Sequence, residues 1–339
     1  MKIILKENLN RKSMLAVIGI IAVVSSFLSA LVGDALVTLS GAALAVVFLL
    51  DTSRWRLWSV GWSAVIAAIN IALNIYYGAL LSVYSLLTVL VAVVISISFS
   101  LNASKATCSA IITVLFSSFL LVGVYLYGAA EAGSYDPAEV IEFYSAYISA
   151  LKDTISAEMS AVTEQYSAEL GTVGLTDEEY LDTLILAIRN SAVGILIVIG
   201  FALSGITLKL FSAFASALSD YPSPLFKWRF ITGNLFAYLY IVLFFLSAFL
   251  GSSTDAFAIT VSTLNTVYMF VYAYLGFGVA RAIVARRFSG ALSFILLIVL
   301  MVMLSSFAIQ ALSLLGVFTT IKFNKARSNT TRDGKDGNP

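Results

Sequence analysis

Polar side chains set in long apolar surroundings mark where this sequence could do chemistry, because each is costly to place in hydrocarbon. Asn70 and Asn74 stand one helical turn apart, Arg189 and Asn190 are adjacent, and Asn265 and Thr266 are followed by Tyr268. Amides, a hydroxyl and a guanidinium in that arrangement suit hydrogen bonding to a small polar solute. They suit helix joining equally well, since amide and hydroxyl bonds between membrane helices contribute about 1 kcal/mol each. Arg189 also fits a membrane interface. Catalysis has less to work with. Histidine is absent, Cys108 is the sole cysteine, and there is no phosphate-binding glycine loop, zinc spacing or serine nucleophile with its base. No catalytic, cofactor or metal site is therefore expected, and the chain is not read as an enzyme.

The elements that must position these residues are membrane helices. Apolar residues make up 60% and charged residues only 12%, with a mean hydropathy of +0.96. A soluble domain carries about a quarter charged residues. The net charge of +1 conceals segregation. Between residues 130 and 182 twelve acids face one base, Lys152, for a net charge of −11, whereas the bases lie in short connections and near the two ends. Basic connections stay in the cytoplasm and acidic segments are exported readily, so this loop is expected outside and the amino terminus inside. Nucleic acid is not an indicated partner; the lipid bilayer is.

Charge-free lengths then give spans at residues 13–33, 35–50, 57–77, 79–101 and 106–129 before the acidic loop, and at 190–208, 230–251, 256–280 and 288–321 after it. Ala30, Gly33 and Ala35 have some likeness to a signal-peptide cleavage site, but the hydrophobic segments that follow at once favour an uncleaved first span. Asp34 marks an outer turn, and Tyr76, Tyr77 and Gly78 offer the break between the third and fourth spans. Asp51 occupies a turn, Arg54 and Arg56 follow it on the inner side, and no span holds a deeply buried carboxylate, which disfavours proton coupling. Thr38, Gly41, Ala42 and Ala45 allow close helix contact in the second span, for internal packing or a partner subunit. Pro222 and Pro224 end a helix before Lys227, Trp228 and Arg229, an interfacial group. Residues 288–321 carry no charge and present a choice: one long helix that exports the basic tail, or a hairpin near Ser305 and Ser306 that returns it. Without a Gly or Pro at the midpoint, one long helix is favoured.

Within the acidic loop, Asp136 is placed to cap, Pro137 suits the first helical position, and Glu139 sits where a capping-box acid would. Ile141, Ile148, Ile155 and Val162 recur every seven residues, giving one apolar face to a helix that ends at Gly171 and Gly174. That face could pack on its neighbour, lie on the membrane or dock a partner. Thr176 and Glu179 form a second capping box, opening a helix that enters the membrane near Thr183. The expected fold is therefore all-α: a polytopic membrane protein with about nine spans and an exported acidic helical hairpin. Its divisions are membrane spans at 1–129, the hairpin at 130–182, further spans at 183–321 and a disordered basic tail at 322–339.

Four stretches carry a family resemblance: Gly174-Leu175-Thr176-Asp177-Glu178-Glu179, Phe226-Lys227-Trp228-Arg229, Leu275-Gly276-Phe277-Gly278 and Leu315-Gly316-Val317-Phe318. With them the chain resembles the YybS-like family of bacterial multi-pass membrane proteins, over most of its length and best in the second half. That family is distantly similar to the substrate-binding membrane subunits of energy-coupling-factor transporters. The resemblance implies a location in the bacterial cytoplasmic membrane and a transporter-like subunit that takes a small solute and needs a separate energising partner. The alternative is a structural or signalling envelope protein that acts through the exported hairpin.

Overall fold

The computed structural model describes residues 6, 9–32, 35–53, 55–77, 82–101, 103–170, 177–218, 233–250, 255–288 and 290–333. Within the helices, the side chains of 30–32, 35, 74, 76, 77, 82–85, 151, 155–170, 177–191, 290, 291, 293, 294, 296, 298, 300–306 and 326–333 are outside that description. The turn at Asp34, the break at Gly78, the capping box at Thr176 and the group around Trp228 fall outside the described residues.

Every element among the described residues is a helix. In order they are α1 (Arg11–Val32), α2 (Ala35–Leu50), α3 (Leu57–Tyr77), α4 (Ser82–Ser100), α5 (Lys105–Ala132), α6 (Pro137–Leu170), α7 (Asp177–Leu218), α8 (Asn234–Leu250), α9 (Ala256–Val284) and α10 (Gly290–Asp333). Among the described residues five stretches are long and apolar enough to cross a membrane: Arg11–Ser29, Lys105–Ala132, Ala192–Leu218, Ala256–Val284 and Phe307–Lys325. Shorter apolar helices lie at Leu36–Leu50, Leu57–Leu73, Leu86–Ser100 and Asn234–Leu250. The chain is thus a membrane-embedded protein whose elements, among the described residues, are all helices. α7 is continuous, as expected of a helix opened at Thr176 that runs on past Thr183, because Arg189 and Asn190 interrupt apolarity without breaking a helix. α10 runs unbroken past Ser305 and Ser306 and stays helical through the basic stretch to Asp333.

The chain divides into two compact units. The first comprises Met1–Phe119, Ile197–Val242 and Tyr268–Pro339, and the second comprises Leu120–Leu196 and Leu243–Val267.

In the first unit α2 packs against α1, α3 and α4. Its 16 residues carry no charge, and Ala42 to Val47 are completely buried, as befits a helix apolar on all sides. Small residues let its neighbours come close. A Cβ added at Gly41 would lie 2.9 Å from Val91 Cγ1, and the Ser40 hydroxyl donates to Ala22 O at 2.7 Å. Thr38, Ala42 and Ala45 are buried in the same packing. A second crossing joins α9 to α10, where a Cβ on Gly276 would strike Leu312 O and one on Gly316 would strike Tyr272 O. Here backbone meets backbone, and only glycine fits on either side.

In the second unit α6 starts at a cap: Asp136 Oδ1 accepts from the Ala138 amide at 2.9 Å. The face that packs is offset from the seven-residue stripe. Val140 is 3% exposed and the Tyr144 hydroxyl donates to Val124 O at 2.6 Å, whereas Ile141 is 66% exposed. Gly128 makes room for the Tyr144 ring, 2.5 Å from where its Cβ would stand. The register is therefore i, i+4 from Val140 against the end of α5; Ile148 is half-buried, and Ile155 and Val162 lie outside the described side chains.

Candidate functional site

The asparagines chosen from sequence sit on α3, α7 and α9, and two of them carry an enclosed side-chain oxygen with no donor. Asn70, fully buried on α3, donates from Nδ2 to Ser26 Oγ at 3.1 Å and to Ile66 O at 2.9 Å. The Ile66 carbonyl needs a donor, which fixes the amide's orientation and leaves Oδ1 buried with no hydrogen-bond partner. Asn265 on α9 is half-buried, and its Oδ1 is likewise enclosed without a partner. A buried unsatisfied acceptor costs about 1–3 kcal/mol, so each carbonyl is poised to gain from an incoming N–H or O–H.

Thr266, next to Asn265, touches α7: a Cβ added at Gly194 would lie 3.1 Å from both Thr263 O and Thr266 Cβ. Asn190 stands four residues before Gly194 on α7, so the helix of Arg189 and Asn190 is the one that meets Asn265 and Thr266. The side chains of Asn74, Arg189 and Asn190 lie outside the described residues. Asn70 belongs to the first unit, and Asn265 and Thr266 to the second.

Tyr268 takes part in ring packing. It stacks on Phe236 and on Tyr272, with ring centroids 6.4 Å apart in each case, and Tyr272 stacks on Tyr240 at 5.3 Å. Tyr240 in turn shares a 2.7 Å hydrogen bond with Ser313 Oγ on α10. Spacing of four residues on both α8 and α9 produces this ladder, and Tyr268 is its outermost tyrosine on α9.

The turn between α2 and α3 holds a constellation that the sequence reading treated only as a charge boundary. Asp51 Oδ1 accepts from the Ser53 amide at 3.0 Å and its hydroxyl at 2.6 Å; Oδ2 accepts from the Ser59 amide at 2.9 Å and its hydroxyl at 3.0 Å. Burial alone would push this carboxyl up, but the four donors outweigh it and hold Asp51 below the usual carboxylate range. The signal in sequence was the serine two residues after the aspartate, the spacing of an Asx turn; Ser59 at eight residues carries no local signature.

Arg56 emerges from this turn with φ 46°, in the left-handed region. Its guanidinium donates to Phe48 O at 2.8 Å, satisfying an end carbonyl of α2 and placing positive charge at the helix's negative pole. The same side chain lines two clefts. One, of about 530 Å3, is walled by Val60, Ala64, Ala67, Leu86 and Val89; the other, of about 400 Å3, by Val93, Ile97 and Leu101. Other bases gather at this end of the first unit. Arg11 donates to Thr52 Oγ1 at 3.0 Å, and Lys209 lies close enough to Lys105, four residues beyond Leu101, to act on it electrostatically.

No protein-family model, curated protein or solved structure matches this chain.

Proposed function

We propose that the chain is a multi-pass protein of about nine spans, with its amino terminus in the cytoplasm of a bacterial cell and its acidic hairpin exported. In this reading it binds a small polar solute and depends on a separate energising partner, as the resemblance to the YybS-like family implies. The observation that carries the proposal is the enclosed, unpartnered Oδ1 of Asn265, beside Thr266 at the contact between α9 and α7. A free acceptor among apolar helices favours a ligand that brings an N–H or O–H donor and loses little water in doing so. Thermal stabilisation of the purified protein by members of a panel of polar solutes tests it. Loss of that stabilisation in Asn265→Ala, with the unliganded midpoint retained, supports the reading; stabilisation that survives the change removes Asn265 from the site.

The alternative is an envelope protein working through the hairpin. The outward apolar residues Ile141 and Tyr147 on α6 favour it, being more than half exposed on an otherwise acidic helix. Co-purification of an envelope component that disappears in Ile141→Asp and Ile148→Asp, yet persists in Asn265→Ala, supports this second reading.

A further inference from the structure

We propose that the larger cleft beside Arg56 is a binding site for an anionic phospholipid, its headgroup phosphate on the guanidinium and one acyl chain along Val60, Ala64, Ala67, Leu86 and Val89. The inference stands on a different part of the molecule from the asparagines and is independent of solute binding.

Three observations lead to it. The cleft is lined by apolar side chains with one cation at its edge, and its volume of about 530 Å3 lies in the ~300–1,000 Å3 range of ligand clefts. The two serines in its wall have their hydroxyls committed elsewhere: Ser59 Oγ donates to Asp51, and Ser63 Oγ to Ser59 O at 2.8 Å. What remains is a positive charge and a hydrocarbon wall, complementary to an anion with an apolar tail.

The cation is held and not neutralised. One arm of the Arg56 guanidinium is anchored on Phe48 O, which orients the fork and leaves its other donors available. Asp51, five residues earlier in the same turn, has both oxygens occupied by Ser53 and Ser59. Among the described residues no acid forms an ion pair with Arg56. A planar fork of this kind binds phosphate through paired hydrogen bonds, which a lysine cannot reproduce. The backbone at Arg56 is left-handed, a conformation that suits glycine and is held here by a residue whose side chain is anchored on Phe48 O.

Location completes the argument. Trp55 is 72% exposed next to Arg56, and Trp58 is also exposed, an aromatic and basic pairing typical of the headgroup layer. A free phosphate would find the charge but gain nothing from the walls, whereas an acyl chain would cover Val60 and Leu86, both more than half exposed.

Native mass spectrometry of the delipidated full chain, titrated with phosphatidylglycerol or phosphatidylcholine, tests the site. Wild type is expected to retain phosphatidylglycerol on the order of ten-fold better than phosphatidylcholine, the value of one charge-assisted contact. Arg56→Gln should erase that preference, Arg56→Lys should keep only part of it, and glycerol phosphate without chains should not compete. Ala64→Trp fills the cleft while leaving the guanidinium in place, and guards against a folding defect in the Arg56 variants; it too should lose the retained lipid. Equal retention of the two lipids by wild type, undiminished preference in Arg56→Gln, or full competition by glycerol phosphate would each overturn the proposal.

Discussion

Two helix contacts in the first unit show opposite ways of bringing membrane helices together. Around α2 the approach is made by small side chains and hydroxyls, as at Gly41 beside Val91 and Ser40 bonded to Ala22 O. At the crossing of α9 and α10 the backbones themselves touch, at Gly276 and Gly316. The first contact has side chains that can give; the second has none. Tolerance to substitution should therefore differ sharply between them, although glycine occurs in both.

The largest effect is expected at the backbone crossing. Gly276→Leu or Gly316→Leu forces main chains apart and should cost more than about 3 kcal/mol, read as loss of monodisperse protein and of a cooperative thermal transition. Gly41→Ala meets a methyl of the Val91 side chain, not backbone, and should cost about 1 kcal/mol in the same assay. Comparable losses in the three variants would break the distinction.

The turn after α2 comes next. Asp51→Ala strands the Ser53 and Ser59 donors and should cost about 1–3 kcal/mol. Because the folded carboxyl lies below its ordinary value, its contribution is present above the unfolded value, near 4, and is lost as pH falls through the lowered folded one. The thermal midpoint of wild type should therefore fall more steeply than that of Asp51→Ala between roughly pH 5 and pH 3. A parallel decline in both proteins would show that the four hydrogen bonds do not favour the ionised form.

Tyr240→Phe removes the hydroxyl bonded to Ser313 but keeps the ring ladder, and should cost about 0.5–1.5 kcal/mol by thermal denaturation. The smallest change has the opposite sign. Gly61 on α3 has no atom within 4 Å of an added Cβ, so Gly61→Ala should stabilise by up to about 1 kcal/mol. Gly61→Ala and Gly276→Leu thus bracket the range that glycine positions span in one unit.

Much of the helix map was legible from charge-free lengths alone. α2, α3 and α6 have the bounds that sequence assigns, since Asp51, Arg54 and Arg56 delimit the first two and Asp136 with Pro137 opens the third. The unbroken course of α7 and of α10 past Ser305 was also expected, whereas the continuation of α10 from 322 to Asp333 was not, because polar and basic residues change what a helix faces, not whether it forms. At the start of α6 the packed position is Val140 and not Ile141, since the two are equally apolar and only the contact with α5 chooses between them. At the candidate sites, sequence found Asn70 and Asn265 through their cost in an apolar setting. It did not distinguish Tyr268 as a rung of an aromatic ladder, because the partner Phe236 is distant in sequence. Arg56 was visible only as a charge; neither its left-handed backbone nor the clefts it lines leave a local trace.

The proposed sorting of charge across the bilayer is most directly tested by single-cysteine labelling in intact cells, with Cys108 replaced by serine. Ser156→Cys, on α6, should react with an impermeant thiol reagent added outside, and Ala285→Cys, between Arg281 and Arg286, should react only after the cells are opened. Protection of position 156 together with external labelling of position 285 would contradict the orientation, and with it the exported hairpin.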